Sequence, residues 1–387
     1  MTDRVYLDWN ATAPLRPEAR SAMAAALDLT GNPSSVHAEG RAARAAVERA
    51  RAQVAALAGC APHQVVFTSG ATEANMLALR WASAAIYAST AHPSLIAAAQ
   101  AETLGDAPAP VTADGRLDLS DAALQAWREA AVTGLPGVDA ACLAFDAANG
   151  ETGVLEEIAA VREALRRARR GGVAWLGHCD ITQRVGRLPF AFAETGLRSA
   201  ALSAHKIGGP KGAGALIHDD SLDPTPLLGG GGQEGGWRAG TENLAGIVGF
   251  GAAAEAAARE AADGAWERVA ALRDRLEARI MAASDGTIRI GAEAPRLPNT
   301  SCFATPGWLG ETQVIQLDLA GFAVSAGSAC SSGKVRESHV LTAMGFDDAT
   351  ARSAIRVSIG PSTTEDEIDR FCDAWTGLYR KRRAQAA

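Results

Sequence analysis

Ser203-Ala-His-Lys206-Ile-Gly-Gly-Pro-Lys-Gly-Ala-Gly-Ala215 is the stretch on which the reading of this chain turns. Ser199 to Ser203 is a short β-like run, and beyond the Gly/Pro turn Gly214 to His218 is another. Lys206 therefore stands where a strand ends. An amine at such a place can be partly desolvated, which lowers its pKa and makes it a Schiff-base nucleophile. Rivals for that chemistry are few, because of 37 basic residues only Lys206, Lys211, Lys334 and Lys381 are lysines. Lys211 follows in the turn, Lys334 lies in a Ser/Gly loop and Lys381 sits in a basic tail.

Working outward, short β-like runs alternate with longer Ala/Arg/Glu-rich stretches, the pattern of parallel strands joined by crossover helices. Residues 41–58 read as a helix stopped by Gly59, and Gln64 to Thr68 as a strand that runs through Ser69-Gly-Ala-Thr-Glu73 into another helix. Ala140 to Phe145 is a strand, Glu156 to Arg170 a helix closed by Gly171-Gly172, and Val173 to Cys179 a strand ending at Asp180. From about Leu244 the texture changes to long helices through Met281, then β-like pieces at 287–290, 299–304 and 354–359. This second part reads as a smaller α+β domain. Thr364-Glu-Asp-Glu367 has capping-box spacing and should open the last helix. Gly229 to Gly236 is too glycine-rich to be anything but a loop.

The 387 residues are 48% hydrophobic and 21% charged with a net charge of −7, which describes a globular chain without a basic stripe for nucleic acid. The arginines at 166, 167, 169 and 170 read as a solvated helix end. No long apolar run and no signal-like start is present, so a cytoplasmic location is expected. The six cysteines form no metal-binding spacing and should be free thiols, with Cys142, Cys179 and Cys302 in the core; no metal site is expected. His178 and His218 read as structural.

Open α/β sheets bind ligands at the carboxyl ends of their strands. Ser69 to Thr72 offers backbone N–H groups and a helix dipole suited to a phosphate, though a plain turn would look the same. Asp180 ends an apolar strand, where a carboxylate needs a partner; standing alone it reads sooner as a satisfied structural or surface Asp. With Lys206, these form the kit for pyridoxal phosphate: amine for the aldehyde, carboxylate for the pyridine nitrogen, helix terminus for the phosphate.

At this point the sequence resembles a family. The Lys206 segment, with Tyr6-Leu-Asp…Ala11-Thr-Ala-Pro14, Gly31-Asn-Pro-Ser-Ser-Val-His37, Phe67-Thr-Ser-Gly-Ala-Thr-Glu73, Asp180-Ile-Thr-Gln183…Gly186-Arg-Leu-Pro189, Arg238-Ala-Gly-Thr241 and Ser325-Ala-Gly-Ser-Ala-Cys330-Ser-Ser-Gly, is similar to the cysteine desulfurases of the NifS/IscS type among class V aminotransferase-like proteins. The resemblance implies an α/β fold, the type I fold of pyridoxal-phosphate-dependent transferases. A large domain at 15–250 would hold a mostly parallel sheet flanked by helices. A small α+β domain, 1–14 with 251–387, would carry the cysteine loop at about 325–336.

Residue by residue, the resemblance implies that Lys206 holds the cofactor aldehyde, Asp180 pairs with the pyridine nitrogen and Gln183 donates to the phenolic oxygen. His92 would stack on the ring and take part in proton transfer. Ala71, Thr72, Ser203 and His205 would bind the phosphate, and Thr241 the phosphate of a neighbouring subunit, which requires a homodimer. Asn149 and Arg356 would hold the substrate carboxylate. Cys330, in a small-residue loop, reads on its own as either an inert thiol or a nucleophile. With the resemblance it becomes the thiolate that takes sulfur from L-cysteine, releasing alanine and passing the persulfide to an acceptor or iron–sulfur scaffold protein.

Two departures from the family pattern fall near the acceptor side: Arg336-Glu337-Ser338 where Glu-Pro commonly precedes the Ser, and Pro361 where an arginine often follows the glycine. The competing readings are a selenocysteine lyase or cysteine sulfinate desulfinase on the same scaffold, and a non-catalytic pyridoxal-phosphate-binding partner protein.

Overall fold

The computed structural model describes residues 4–132, 138–169, 173–327 and 337–386. The chain opens with β1 (Val5–Tyr6), crosses to α1 (Pro17–Leu27) and α2 (Ala38–Ala58), and then enters alternating structure. That part comprises β2 (Val65–Thr68), α3 (Ala71–Leu79), β3 (Ala84–Ala88), α4 (Pro93–Glu102), β4 (Gly105–Ala109), α5 (Asp121–Val132), β5 (Ala140–Asp146), α6 (Ile158–Ala168), β6 (Ala174–Asp180), α7 (Phe192–Thr195), β7 (Ser199–Ser203) and β8 (Gly214–His218). Gly59 ends α2 with φ +65, a left-handed conformation that suits glycine.

The seven strands from β2 to β8 form one sheet in the order β2-β8-β7-β6-β5-β3-β4. Pairing is parallel from β7 through β6, β5 and β3 to β4, and β8 runs antiparallel to both β7 and β2. Two reversals leave β2 pointing the same way as β7. Thr68, Ala88, Asp146, Asp180 and Ser203 therefore all end strands at one edge of the sheet. The sheet interior is apolar on both faces, with Phe67, Ile86, Leu143, Phe145, Trp175 and Leu202 in one continuous core, as a helix-covered sheet requires.

The chain continues through α8 (Leu244–Ala262), α9 (Ala265–Ala283), β9 (Ile288–Arg289), β10 (Thr300–Ala304), α10 (Gly310–Leu319), β11 (Phe322–Ala323), β12 (Ser325–Ala326), α11 (His339–Ala343), α12 (Asp348–Ala351), β13 (Ala354–Ser358) and α13 (Glu365–Ala386). Strands β12, β13, β10 and β9 form an antiparallel sheet with its own core of Trp266, Leu276, Phe303, Trp308, Phe371 and Trp375. The capping box forms as its spacing predicts: the Thr364 amide donates to Glu367 at 2.8 Å and the Glu367 amide to Thr364 Oγ1 at 3.3 Å. The division expected at 250/251 falls inside α8, whose buried Ala253, Ala254 and Ala257 belong to the large sheet's core.

Residues 4–16 link the two sheets. β1 pairs with β11, Asp8 bridges to Ser358, and then the Ala13 amide donates to the His205 carbonyl and the Arg16 amide to that of Gly208. Gly208 has φ +81, and a Cβ there would strike Arg16 and Pro14. That close approach delivers Asn10 and Ala11 to Lys206. Among the described residues no helix is long and apolar enough to cross a membrane.

Candidate active site

Lys206 ends the short 3-10 turn that follows β7. Its Nζ donates to the carbonyls of Asn10 at 2.7 Å and Ala11 at 2.9 Å. Burial pushes the amine down to about 8; Arg356 and Arg187 add to the effect, and Asp180 and Asp8 oppose it. An amine held this way is a far better nucleophile at neutral pH than an exposed lysine.

Asp180 closes β6 and is 6% exposed. Its Oδ1 accepts from the Thr182 amide at 2.9 Å and its Oδ2 from Asn75 Nδ2 at 3.0 Å. Beside it, Asp146 ends β5 and accepts from the His92 amide at 2.9 Å; burial first and Asp180 second hold the Asp146 carboxyl well above the usual range. His92 is the N-cap of α4, its Nδ1 accepting from the Ser94 amide at 3.2 Å. Burial lowers the His92 pKa, Lys206 and His339 add to this, and Asp180 works against it, so its ring is neutral amid all three. Buried Thr182 Oγ1 has no hydrogen-bond partner.

Ala71 and Thr72 open α3, whose N-cap, Gly70, has no side chain to satisfy the first-turn N–H groups and open space where a Cβ would stand. That is an anion cradle by donor set and by shape. Ser203 ends β7 next to it, and His205, whose Nδ1 lies 3.1 Å from Thr12 Oγ1, is pushed down to about 4 by burial and by Lys206. The donors along this edge fit pyridoxal phosphate: uncapped amides for its phosphate, a buried carboxylate for its ring nitrogen, a depressed amine for its aldehyde.

Gln183 donates from Nε2 to the Asn10 carbonyl at 3.0 Å. Arg356, on β13, donates to the Gly150 carbonyl at 3.0 Å and to Asp8 at 2.7 Å, while its buried Nε has no partner. Asn149 Oδ1 accepts from the Glu151 and Thr152 amides, and one of its amide N–H groups donates to the Thr90 carbonyl at 3.0 Å. Thr241 is exposed and lines a cleft of about 200 Å³ with Thr68, Ser69 and Gly212. Cys330 lies outside the described residues, as do Lys334 and Arg336. Immediately beyond that stretch Ser338 Oγ donates to buried Glu151 at 2.6 Å, and Glu151 also packs against Gly327 at its near end. The described cysteines are free, and burial raises Cys60 to about 12 and Cys372 to about 11, with Cys142, Cys179 and Cys302 also raised.

Several residues in this cluster escape sequence reasoning. Asn75, Ser94, His178, Arg187, Asp8, Asn10 and His339 all touch or face the named groups. One signal existed: His178 shares the Asp180 face of β6 by period 2, and Asn75 follows Ala71 by one helical turn. His178 is buried, as a structural histidine should be, but its ring reaches Asp180 through Asn75.

Comparison with known proteins gives concordant matches. The aminotransferase class-V family model matches residues 5–371. A cysteine desulfurase of Cereibacter sphaeroides is 40% identical, with 99% of this chain and 97% of the relative aligned. Another cysteine desulfurase, from Frankia sp. (strain EuIK1), is 40% identical over 95% of this chain and 90% of that one. The solved structure of a NifS-like protein from Rickettsia africae superposes with a TM-score of 0.87 at 29% identity, covering 97% of this chain and 99% of its own.

Proposed function

The chain belongs to the aminotransferase class-V family, and from that premise we propose that it is a cysteine desulfurase of the NifS/IscS type. It takes sulfur from L-cysteine, releases L-alanine and leaves a persulfide on Cys330. The observation that carries the reading is the meeting of Lys206, Asp180 and His92, at the strand ends of the large sheet, with Arg356 from β13, and with the amine of Lys206 lowered to about 8.

Pyridoxal phosphate, when bound, supplies an electrophilic carbonyl and a ring that draws electrons from the substrate's Cα. Lys206 Nζ would hold the aldehyde and is the amine placed to accept the Cα proton. Asp180, fixed by Asn75 and the Thr182 amide, would pair with the ring nitrogen and keep a proton there. Gln183 would donate to the phenolic oxygen, and neutral His92 would face the ring. Ala71, Thr72, Ser203 and His205 would bind the phosphate, and Thr241 would reach the phosphate bound by a second copy in a homodimer. Arg356 and Asn149 orient the substrate carboxylate; a guanidinium with an unfilled Nε is suited to that task.

Cys330 Sγ, as thiolate, attacks the sulfur of cysteine. The C–S bond breaks, the carbon takes up a proton, and alanine leaves. The products balance without an oxidant: one thiol plus cysteine gives one persulfide plus alanine. The sulfur then passes to an acceptor protein, an iron–sulfur scaffold among them, in the cytoplasm. The part that binds the cofactor extends through α8, and the smaller part begins with α9. Parallel assays of alanine release from cysteine, selenocysteine and cysteine sulfinate test the reading. Cysteine turnover that depends on Cys330 supports it; turnover of selenocysteine alone would assign the chain to the lyases instead.

A further inference from the structure

Arg187 is 4% exposed, yet among the described residues no carboxylate pairs with it. Its hydrogen bonds leave from Nη1 to two neutral amides, Asn10 Oδ1 at 2.9 Å and Gln183 Oε1 at 2.7 Å. The guanidinium lies 6.0 Å from the ring centre of Trp266, and together with Lys206 it lines a cavity of about 200 Å³ walled by Trp9 and Trp266. A buried arginine is normally neutralised by an acid, because an isolated charge is costly to bury. Here the neighbouring cation, Arg356, has Asp8, whereas Arg187 has only amides.

The bond to Gln183 decides which way that side chain faces. Arg187 has donors only, so Oε1 must turn toward it, and Nε2 is then left to donate to the Asn10 carbonyl at 3.0 Å. The flipped amide would set NH2 against guanidinium and carbonyl against carbonyl. That same Asn10 oxygen accepts from Lys206 Nζ at 2.7 Å. The amide nitrogen and the lysine amine thus converge on one atom.

We propose that Arg187 is a positioning residue for the desulfurase reaction: it turns the amide nitrogen of Gln183 toward the cofactor's phenolic oxygen and sets an unneutralised positive charge beside the Lys206 amine. This rests on the functional reading above. The charged and titratable groups facing that amine come from five directions: Asp8 on the N-terminal segment, Asp180 at the end of β6, Arg356 on β13, and the neutral rings of His92 at the start of α4 and His205 in its own turn. Of these the carboxylates stabilise a protonated nitrogen and the cations oppose it. Arg187 is the cation without a carboxylate of its own.

The test is a spectroscopic pH titration of the holoprotein without substrate, following the yellow band of the lysine-bound cofactor. Removing a nearby like charge should raise the midpoint, so Arg187→Met and Arg187→Gln are expected to shift it up by about one pH unit. Arg187→Lys keeps both the charge and a donor-only partner for Gln183 Oε1, and should return most of that shift. A merely structural role would not move the midpoint. An unchanged midpoint in whichever deletion variant folds and holds a full complement of cofactor overturns the inference. Wild-type protein that never develops the band overturns the functional reading instead.

Discussion

Asn75 stands between Asp180 and His178: its Nδ2 donates to Asp180 Oδ2 at 3.0 Å, and its Oδ1 lies 2.9 Å from His178 Nε2. The second contact fixes the first. Burial pushes His178 down to about 4, so the ring is neutral; a proton on Nε2 meets the amide oxygen, and Nδ1 faces Ser199 Oγ at 2.8 Å. The amide nitrogen is left to Asp180 and to Ser94 Oγ at 2.9 Å. The carboxylate is thereby aimed by a buried chain of neutral groups.

Asn75→Leu strands Asp180 Oδ2 and His178 Nε2 in the interior. The expected loss is about 1–3 kcal/mol for the unpaired partners, read as a lower urea midpoint of the apoprotein. An unchanged midpoint would mean that the chain from Asp180 to Ser199 contributes nothing to stability.

The depressed His178 leaves a signature in acid. Its folded pKa of about 4 lies below the ordinary value of 6.5, so between those limits the unfolded chain binds the extra proton, and this contribution to stability is lost as pH falls. Glu156, raised by burial to about 7, acts in the opposite sense over the same window, so only a difference is diagnostic. Relative to wild type, His178→Gln should gain stability as pH drops from 6.5 to 4; chemical denaturation at three pH values checks this.

The Lys206 amine should be reactive near neutrality. With a pKa of about 8, its neutral fraction rises through that value, and the rate at which apoprotein combines with pyridoxal phosphate should rise along the same curve. A rate still climbing steeply above pH 10 would show a lysine that the site does not perturb.

Arg356→Leu removes the guanidinium and leaves Asp8 without its partner at 2.7 Å. The expected result is a KM for cysteine raised roughly 10- to 100-fold, the loss of a charge-assisted contact, with the yellow band still formed. A change in kcat alone would place Arg356 outside substrate binding.

Much of this arrangement is legible in the sequence. Strand-end placement singled out Lys206 and Asp180 because a parallel sheet repeats its hydrophobic runs and stops them at polar residues, and Asp180 does end β6. The capping box at Thr364 and Glu367 is a local code and forms as read. What local pattern could not convey is convergence from afar. Asn10, Asp8 and Arg187 reach the site through the N-terminal segment and a turn after β6, and their roles depend on partners more than 170 residues away, such as Asn10 with Lys206 at a separation of 196. The start of α8 at Leu244 is where the texture of the sequence changes, but which core an alanine-rich helix joins is not written in its local pattern: Ala253, Ala254 and Ala257 pack with the large sheet.

The central claim is that sulfur leaves cysteine by way of Cys330, and mass spectrometry of the holoprotein after brief exposure to L-cysteine tests it most directly. The account predicts one added sulfur on the peptide containing Cys330, formed together with alanine, and no such adduct in Cys330→Ala although that variant still binds cofactor and cysteine. Alanine released at the wild-type rate by Cys330→Ala would contradict it.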